Sequence, residues 1–481
     1  MKLRLSSGKE IPVEMHKARM VQKIWLTPAQ ERLKAIEEAG YNTFQLKNKD
    51  IFLDMLTDSG TNAMSDNQFA GFITTDDSYA GSMTFYEFEE AVQDVLGYKY
   101  VMNVHQGRAA EHLIPRVLAK PGDIIPMNYH FTTTKAHIEL IEAICLEIFI
   151  DEALNTESSH PFKGNMDPQK LRDAIKKYGK EKIAFVRMEA STNLLGGQPF
   201  SMENYKEIRK ICDEHGFLLV LDGSLVCENA YFIWKREKGY ENKTVAEIVK
   251  EMCSIADIFY LSGRKNTCVR GGFIATNNKE LFDEIKPWLP AYEGFFTYGG
   301  MSMREIGMMV PGIREMVDPE VAGCSIQQID YFVNRLRETK IPVVTPPGGL
   351  ACHIDAMKFL PHVPQQQYPA GALTAALYIA SGVRAMERGT ISMDRDKDGN
   401  EQLSHLELTR IALPRRVYTV SHMEYIIDRV NWLYKHRDLI KGLKFVYETP
   451  VLRFFLGKLE ALDNWGAKLA EAFKKEFGPD Y

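Results

Sequence analysis

The residue whose type and setting in this sequence most clearly indicate chemistry is Lys265. It lies in a short polar turn between two apolar stretches, 258–261 and 273–275. Desolvation in such a turn disfavours the ammonium form of a lysine, and a neutral amine is what a lysine needs to form a Schiff base with a carbonyl group. The competing interpretation is an ordinary solvated lysine, the commoner case for this residue type. Lys265 alone leaves both interpretations open.

Asp222 is a second candidate, because it ends the apolar stretch 217–221 at the edge where open α/β sheets bind ligands. A carboxylate there could pair with the protonated ring nitrogen of pyridoxal phosphate, or it could simply open a turn. Residues 105–108, His-Gln-Gly-Arg, open a predicted helix, where backbone N–H groups and a guanidinium suit a phosphate. Phe131, just before a helix predicted from Thr132, suits either stacking on a planar ring or core packing.

The stretches between residues 84 and 275 alternate between strand and helix patterns. We predict strands at 100–104, 123–127, 146–150, 183–188, 217–221, 258–261 and 273–275, and helices at 84–96, from 108, from 132, and at 168–178, 202–215 and 245–252. Capping boxes mark the helix starts at Thr84 (with Glu87) and Thr244 (with Glu247). Strands separated by helices indicate crossover units, so the sequence predicts an α/β fold with a mostly parallel sheet.

The length of the chain predicts two domains, because its 481 residues exceed the size at which one hydrophobic core stops growing. The alternating pattern loosens in the last third of the sequence. We therefore predict a large cofactor-binding domain at 66–315 and a small α+β domain at 316–481, to which an N-terminal segment, 1–65, contributes.

Composition and charge narrow the choice of partners. The net charge of −5, without a block of like charges, argues against nucleic acid and favours small molecules. Seven scattered cysteines without a Cys-x-x-Cys pair indicate neither a disulfide framework nor a zinc site. Residues 1–8 lack an apolar signal core, and no run is long and apolar enough to span a bilayer. We expect a cytoplasmic protein with no membrane partner.

Several longer segments carry a resemblance to a known family. They are 39–44, 56–66, 79–82, 105–108, 131–134, 196–199, 228–232, 298–300, 382–389, 414–419 and 452–455. With them nearly the whole chain resembles the tyrosine phenol-lyase and tryptophanase family of pyridoxal-phosphate β-eliminating lyases. The resemblance implies the aspartate-aminotransferase fold type, pyridoxal 5′-phosphate as cofactor, and a homotetramer with shared active sites. The implied reaction is β-elimination of L-tyrosine, or a ring-substituted tyrosine, to a phenol, pyruvate and ammonia.

The resemblance also implies roles for individual residues. Lys265 would hold the cofactor and move the α-proton, Asp222 would hold the ring nitrogen, and Phe131 would stack on the ring. The other cofactor contacts would be Gln106, Gly107, Arg108, Ser262 and Arg264 at the phosphate, together with Asn193. The substrate contacts would be Thr57, Ser59, Asn193 and Arg410 at the carboxylate, Thr132 and Arg388 at a phenolic hydroxyl, Tyr79 as the acid for the leaving ring carbon, and Phe454 and Phe455 as an aromatic wall.

Two departures from the family pattern leave the leaving group open. Leu225 stands where the family has an arginine at the cofactor's phenolic oxygen, and Phe295 with Phe296 replaces a smaller pair in the substrate pocket. Elimination from another β-substituted alanine, such as L-tryptophan or an S-substituted cysteine, is therefore an alternative, and an aminotransferase reaction is another. A non-catalytic binding protein is disfavoured, because the candidate residues would then have no reason to occur together.

A third departure concerns a monovalent cation. The turn after Lys265 is one residue shorter than in the family, with Asn266 in place of an aspartate and Arg270 near the place of a cation-binding asparagine. The resemblance implies a potassium ion near Gly60 and Asp77. Two outcomes stay open: the ion is retained, or Arg270 supplies the positive charge in its place.

Overall fold

A computed structural model of the protein describes all 481 residues. The chain divides into two compact units. The terminal unit comprises Met1–Asp58, Leu154–Ser159 and Gln327–Tyr481, and the central unit comprises Ser59–Ala153 and His160–Ile326. The functional domains proposed from the sequence, with bounds at 65 and 315, stay a prediction.

The central unit is built on a seven-stranded sheet. Its strands, in spatial order, are Tyr100–Val104, Gly272–Thr276, Ile258–Ser262, Leu219–Asp222, Val186–Glu189, Ile124–Met127 and Ile144–Glu147. All neighbours are parallel except Gly272–Thr276, which is antiparallel to both of its neighbours. Apolar side chains cover both faces of the sheet, as parallel strands require. The predicted α/β fold with a mostly parallel sheet is confirmed.

Helices connect these strands and cover the sheet. They are Asp66–Thr74, Met83–Leu96, Gly107–Leu118, Thr132–Leu140, Pro168–Tyr178, Met202–His215, Val226–Arg236, Val245–Ile255, Lys279–Ile285, Leu289–Tyr292 and Met303–Met316. The capping box of Thr244 and Glu247 is confirmed, but the one predicted at Thr84 and Glu87 is wrong. There the Asp76 carboxylate accepts hydrogen bonds from the backbone N–H groups of Met83 and Thr84, so a residue from the preceding loop caps the helix instead.

The terminal unit is α+β. Its strands are Lys2–Arg4, Glu10–Pro12, Leu53–Asp54, Ala351–Asp355, Val383–Arg384, Met386–Arg388, Leu408–Ala412, Leu443–Tyr447 and Lys458–Ala461, and its helices are Ala29–Glu38, Ala356–Phe359, Pro369–Ser381, Val420–Lys435, Arg453–Leu456 and Trp465–Phe477. The wholly buried helix Pro369–Ser381 forms the centre of its core. The long helix Pro319–Glu338 contains the boundary between the units. No helix of the protein combines the length and the apolar character needed to cross a membrane.

Candidate active site

Lys265 occupies the turn between the adjacent strands Ile258–Ser262 and Gly272–Thr276, as the sequence predicts. Its backbone N–H donates to the Ser262 carbonyl at 3.2 Å, and its own carbonyl accepts from Asn62 Nδ2 at 3.1 Å. The side chain is half-buried, with Nζ 5.1 Å from the centre of the Phe131 ring. The fold therefore brings together the candidate Schiff-base amine and the candidate stacking aromatic, which are far apart in the sequence.

A helix N-terminus lies beside this turn. Gly107 begins the helix Gly107–Leu118 directly after Gln106. A Cβ at Gly107 would lie 2.9 Å from the Ser262 Cβ, so a residue with a side chain would push these two segments apart. Because a helix N-terminus attracts anions through its unpaired N–H groups, this close approach places the Ser262 hydroxyl where it can assist in binding a phosphate.

Three arginines surround the same place. Burial lowers the pKa of Arg264, and the positive charges of Arg270 and Arg108 lower it further. The Arg264 guanidinium is fixed from one side, since Nε donates to Ser59 Oγ at 3.2 Å. Like charges gathered in this way favour an anion among them. Together with the helix N-terminus, they fit a phosphate monoester.

Asp222 ends its strand in the interior of the central unit. Its Oδ1 accepts from the backbone N–H of Ser224 at 3.0 Å, and the Ser224 hydroxyl accepts from the Ser262 N–H at 3.2 Å. The carboxylate is thus tied through one serine to the segment that leads to Lys265. Asn193 opens a short 3-10 turn, Asn193–Leu195, and is buried. Thr132 is the buried first residue of the helix Thr132–Leu140.

Tyr79 is exposed, with 73% of its surface accessible. Its hydroxyl accepts a hydrogen bond from the Tyr298 hydroxyl at 3.1 Å, and its ring stacks on Phe295 with the ring centres 6.1 Å apart. Asp77, the candidate cation ligand nearby, forms an ion pair with Arg304 at 3.0 Å. The other candidate, Gly60, donates its N–H to the Arg264 carbonyl at 2.8 Å.

In the terminal unit, Arg410 is fully buried on the strand Leu408–Ala412. Its Nη2 donates to the Leu56 carbonyl at 2.8 Å, which fixes Arg410 beside the residue that precedes Thr57. Burial lowers the pKa of Arg410 to about 10, against the opposing charge of Asp58. A guanidinium this poorly solvated gains from a bound carboxylate.

Arg388 is buried at the end of the strand Met386–Arg388. Its guanidinium carbon lies 5.6 Å from the centre of the Phe454 ring. Phe454 and Phe455 contact each other with ring centres 4.0 Å apart, and Phe44 meets both rings edge-on. The terminal unit therefore combines a buried cation with an aromatic cluster, which suits an aromatic group that carries a hydroxyl.

Comparison with known proteins decides the family. A model of the beta-eliminating lyase family matches residues 54–429, most of the chain. The chain belongs to the beta-eliminating lyase family. Among the relatives of this beta-eliminating lyase, tyrosine phenol-lyase of Symbiobacterium thermophilum is 47% identical over 93% of this chain and 98% of its own length. Tyrosine phenol-lyase of Nostoc punctiforme is 43% identical over 93% of this chain and 96% of its own length.

Solved structures with low sequence identity show the fold of this lyase. Serine palmitoyltransferase of Sphingomonas wittichii has a TM-score of 0.54 at 14% identity, over 80% of this chain and 88% of that one. An aminotransferase from Staphylococcus aureus has a TM-score of 0.56 at 13% identity, over 80% and 94%. The predicted aminotransferase-type fold is confirmed.

Sequence reasoning missed three residues around Asp222 in this lyase. Arg187 and Glu189 lie on the strand Val186–Glu189, and Tyr260 lies on Ile258–Ser262, all of them buried. The available signal was the pair of charged residues within an otherwise apolar strand pattern, since charged residues are seldom fully buried without a partner.

The structure shows what surrounds a residue from each of the three departures from the family pattern. Leu225 is buried. Asn266 Nδ2 donates to the Glu228 carboxylate at 2.6 Å, and the Phe296 ring packs against Phe85.

A pair of buried acids lies next to Arg388. Burial, and then the nearby charge of Glu407, raise the pKa of Glu387 to about 8. Glu387 accepts from the Ile391 N–H at 3.0 Å and from the Ser392 hydroxyl at 2.7 Å, while Glu407 accepts from the Thr390 N–H at 2.8 Å. A Cβ at Gly389 would approach both carboxylates within 3 Å. The segment that carries Arg388 is therefore best ordered when the pair holds a proton.

We expect Glu387→Gln to reduce the loss of stability at high pH. The folded-state pKa is raised, so Glu387 stabilises the fold fully only below its unfolded value of 4.5, and this contribution is lost as the pH rises to about 8. Glutamine stays neutral and can keep both hydrogen bonds, so the variant should gain on the wild type by about 2 to 4 kcal/mol between pH 5 and pH 9. Melting temperatures at the two pH values measure this. The exposed variant Glu460→Gln is the control. The prediction would be contradicted if the change in melting temperature between the two pH values were the same for Glu387→Gln as for the wild type and the control.

Proposed function

We propose that this protein is a pyridoxal-phosphate-dependent carbon–carbon lyase that converts L-tyrosine, or a ring-substituted tyrosine, to a phenol, pyruvate and ammonia. The observation that carries the proposal is the identity of 47% to a tyrosine phenol-lyase over nearly the full length of both chains. The geometry of the central unit supports it, since a turn lysine, an aromatic ring, a strand-end aspartate and an anion-binding helix start suit this cofactor. Bound pyridoxal phosphate supplies an electron sink for the α-carbon of an amino acid.

The residues of the central unit then have these roles. Lys265 holds the cofactor through its amine and carries the α-proton, while Asp222 binds the ring nitrogen and Phe131 covers one ring face. Gln106, Gly107, Arg108, Ser262 and Arg264 bind the phosphate, and Asn193 contacts the cofactor and the substrate. Tyr79 is the acid that protonates the leaving ring carbon. The Tyr298 hydroxyl, 3.1 Å from the Tyr79 hydroxyl, can stabilise the phenolate that Tyr79 becomes when it gives up its proton.

Substrate recognition is assigned to a smaller group. Arg410, with Thr57, Ser59 and Asn193, binds the amino-acid carboxylate. Arg388 and Thr132 bind the phenolic hydroxyl, and Phe454 with Phe455 contacts the ring. Because a site that bonds a hydroxyl rejects analogues without one, cleavage of L-phenylalanine and L-tryptophan should be negligible.

Product analysis tests the proposal. The purified enzyme, supplied with pyridoxal phosphate, is incubated separately with L-tyrosine, L-tryptophan and S-ethyl-L-cysteine, and phenol, indole, pyruvate and ammonia are measured. Phenol, pyruvate and ammonia in equal amounts from L-tyrosine are expected. If only S-ethyl-L-cysteine reacted, the protein would still be a β-eliminating lyase, but L-tyrosine would not be its substrate. A keto acid without free ammonia would indicate an aminotransferase.

We also propose that Arg270 takes the place of a potassium ion. The positive charge of Arg270 acts on Arg264, and Asp77 forms an ion pair with Arg304, so the acidic group expected near an ion has a partner within the chain. Activity should then be equal, within about twofold, in potassium and sodium salts of the same ionic strength. A steep preference for potassium would show that the ion is retained.

For assembly and location we propose a cytoplasmic homotetramer with shared active sites. The central unit exposes apolar side chains on two successive helices, among them Ile73 and Met83, each 65% accessible. Exposed apolar surface of this kind is typical of protein contacts. All seven cysteines are free, which suits a reducing compartment. Sedimentation equilibrium of the purified enzyme measures the number of subunits.

A further inference from the structure

A row of polar side chains crosses three adjacent parallel strands in the interior of the central unit. Glu189 pairs in register with Asp222, and Asp222 pairs with Tyr260. Arg187 lies two residues before Glu189 and so points to the same face of the sheet. Each of the four is at most 4% exposed. A guanidinium in such a place is costly unless its partners are well arranged.

The contacts of Arg187 form a closed triangle with Asp222 and Tyr260. Arg187 Nη2 donates to Asp222 Oδ2 at 2.6 Å, and the Tyr260 hydroxyl donates to the same oxygen at 2.9 Å. Arg187 Nε donates in turn to the Tyr260 hydroxyl at 2.9 Å. Two donors thus fix Oδ2, and the three side chains hold one another in place.

The other carboxylate oxygen is left with room for a donor. Oδ1 of Asp222 accepts from the backbone N–H of Ser224 at 3.0 Å. A carboxylate offers about four lone-pair positions, and these contacts use three of them. The remaining position, on Oδ1, suits a protonated ring nitrogen.

Arg187 lies closer to Asp222 than to Glu189, the other acid of the row. Arg187 lies 3.4 Å from Glu189 but 2.6 Å from Asp222. Burial raises the pKa of Glu189 to about 7, although Arg187 opposes this, and burial followed by the charge of Asp222 raises that of Glu111. By distance, the Arg187 guanidinium is therefore paired chiefly with the Asp222 carboxylate.

We propose that Arg187 is a positioning residue that holds the Asp222 carboxylate and, with Tyr260, turns its Oδ1 toward the ring nitrogen of the bound cofactor. The inference rests on the proposed function, because only a cofactor with a pyridine nitrogen gives this arrangement its use. Arg187 itself contacts neither cofactor nor substrate in this scheme. Replacing Arg187 should therefore weaken binding of a cofactor that has the ring nitrogen and should hardly affect binding of one that lacks it.

The test compares two cofactors. Holoenzymes are prepared with pyridoxal 5′-phosphate or with its analogue in which C–H replaces the ring nitrogen, and the dissociation constant of each is measured by equilibrium dialysis. Arg187→Gln should raise the dissociation constant of pyridoxal phosphate by about tenfold or more, which is the scale of a charge-assisted hydrogen bond. The same substitution should raise the dissociation constant of the analogue by less than about twofold. Equal weakening of both, or of neither, would overturn the inference.

Two further variants secure the comparison. Arg187→Lys keeps the buried charge without the planar fork, so a smaller loss confined to pyridoxal phosphate is expected, and this variant carries the test if Arg187→Gln does not fold. Arg209→Gln removes an arginine that pairs with Asp257 at 2.6 Å elsewhere in the central unit and should affect both cofactors equally. If wild-type protein binds neither cofactor, the proposed function fails, whereas equal losses in the variant reject only the role of Arg187.

Discussion

Lys265→Ala should abolish elimination from every substrate, because in the proposed function one amine serves as both the cofactor anchor and the carrier of the α-proton. Loss of a positioned proton carrier alone costs roughly a hundredfold to ten-thousandfold in rate, and loss of the anchor adds to it. We expect no pyruvate from L-tyrosine or from S-ethyl-L-cysteine above about a thousandth of the wild-type rate. The visible absorption band of the covalently bound cofactor should also disappear.

Lys250→Ala is the matched control for this result. Lys250 lies on an exposed helix face of the same unit, where its Nζ donates to the Asp94 carbonyl at 3.3 Å. The control should keep both the activity and the absorption band. If Lys265→Ala turned over L-tyrosine at a wild-type-like rate, another group would have to carry the α-proton, and the role proposed for Lys265 would be wrong.

Arg388→Leu should separate the two kinds of substrate. Breaking a bond to an aromatic ring requires protonation of that ring while a hydrogen-bonded hydroxyl steers its electrons, so loss of the guanidinium should slow L-tyrosine cleavage by roughly a hundredfold to a thousandfold. S-ethyl-L-cysteine has a good leaving group and needs neither the hydroxyl anchor nor ring protonation. Its elimination should stay within about threefold of the wild type.

The control here is Arg384→Leu. Arg384 lies on the neighbouring strand Val383–Arg384, where its Nε donates to Asp54 at 2.9 Å. Loss of that ion pair should lower stability and change both activities by a similar factor. If Arg388→Leu likewise reduced both activities equally, Arg388 would be a structural residue and the selectivity for phenols would need another source.

The sequence and the structure agree best where the signal is local. The helix Met202–His215 and the strand Tyr100–Val104 have the predicted bounds, because the apolar pattern that defines each of them lies within a few neighbouring residues. The helix predicted at Thr84 also exists, although its cap is Asp76. Periodicity predicted the helix correctly, while the identity of the cap depended on how the preceding loop folds back.

By itself the sequence determined the class of fold and the turn that carries Lys265, since alternating strand and helix patterns and a polar interruption between apolar runs are properties of neighbouring residues. Only the tertiary structure decided what surrounds Asp222. Strand register places Arg187 and Tyr260, 73 residues apart, within 2.9 Å of each other on one sheet face. The physical reason is that a buried charge is tolerated only beside its partner, and which strands lie side by side is not written in the local pattern of any of them.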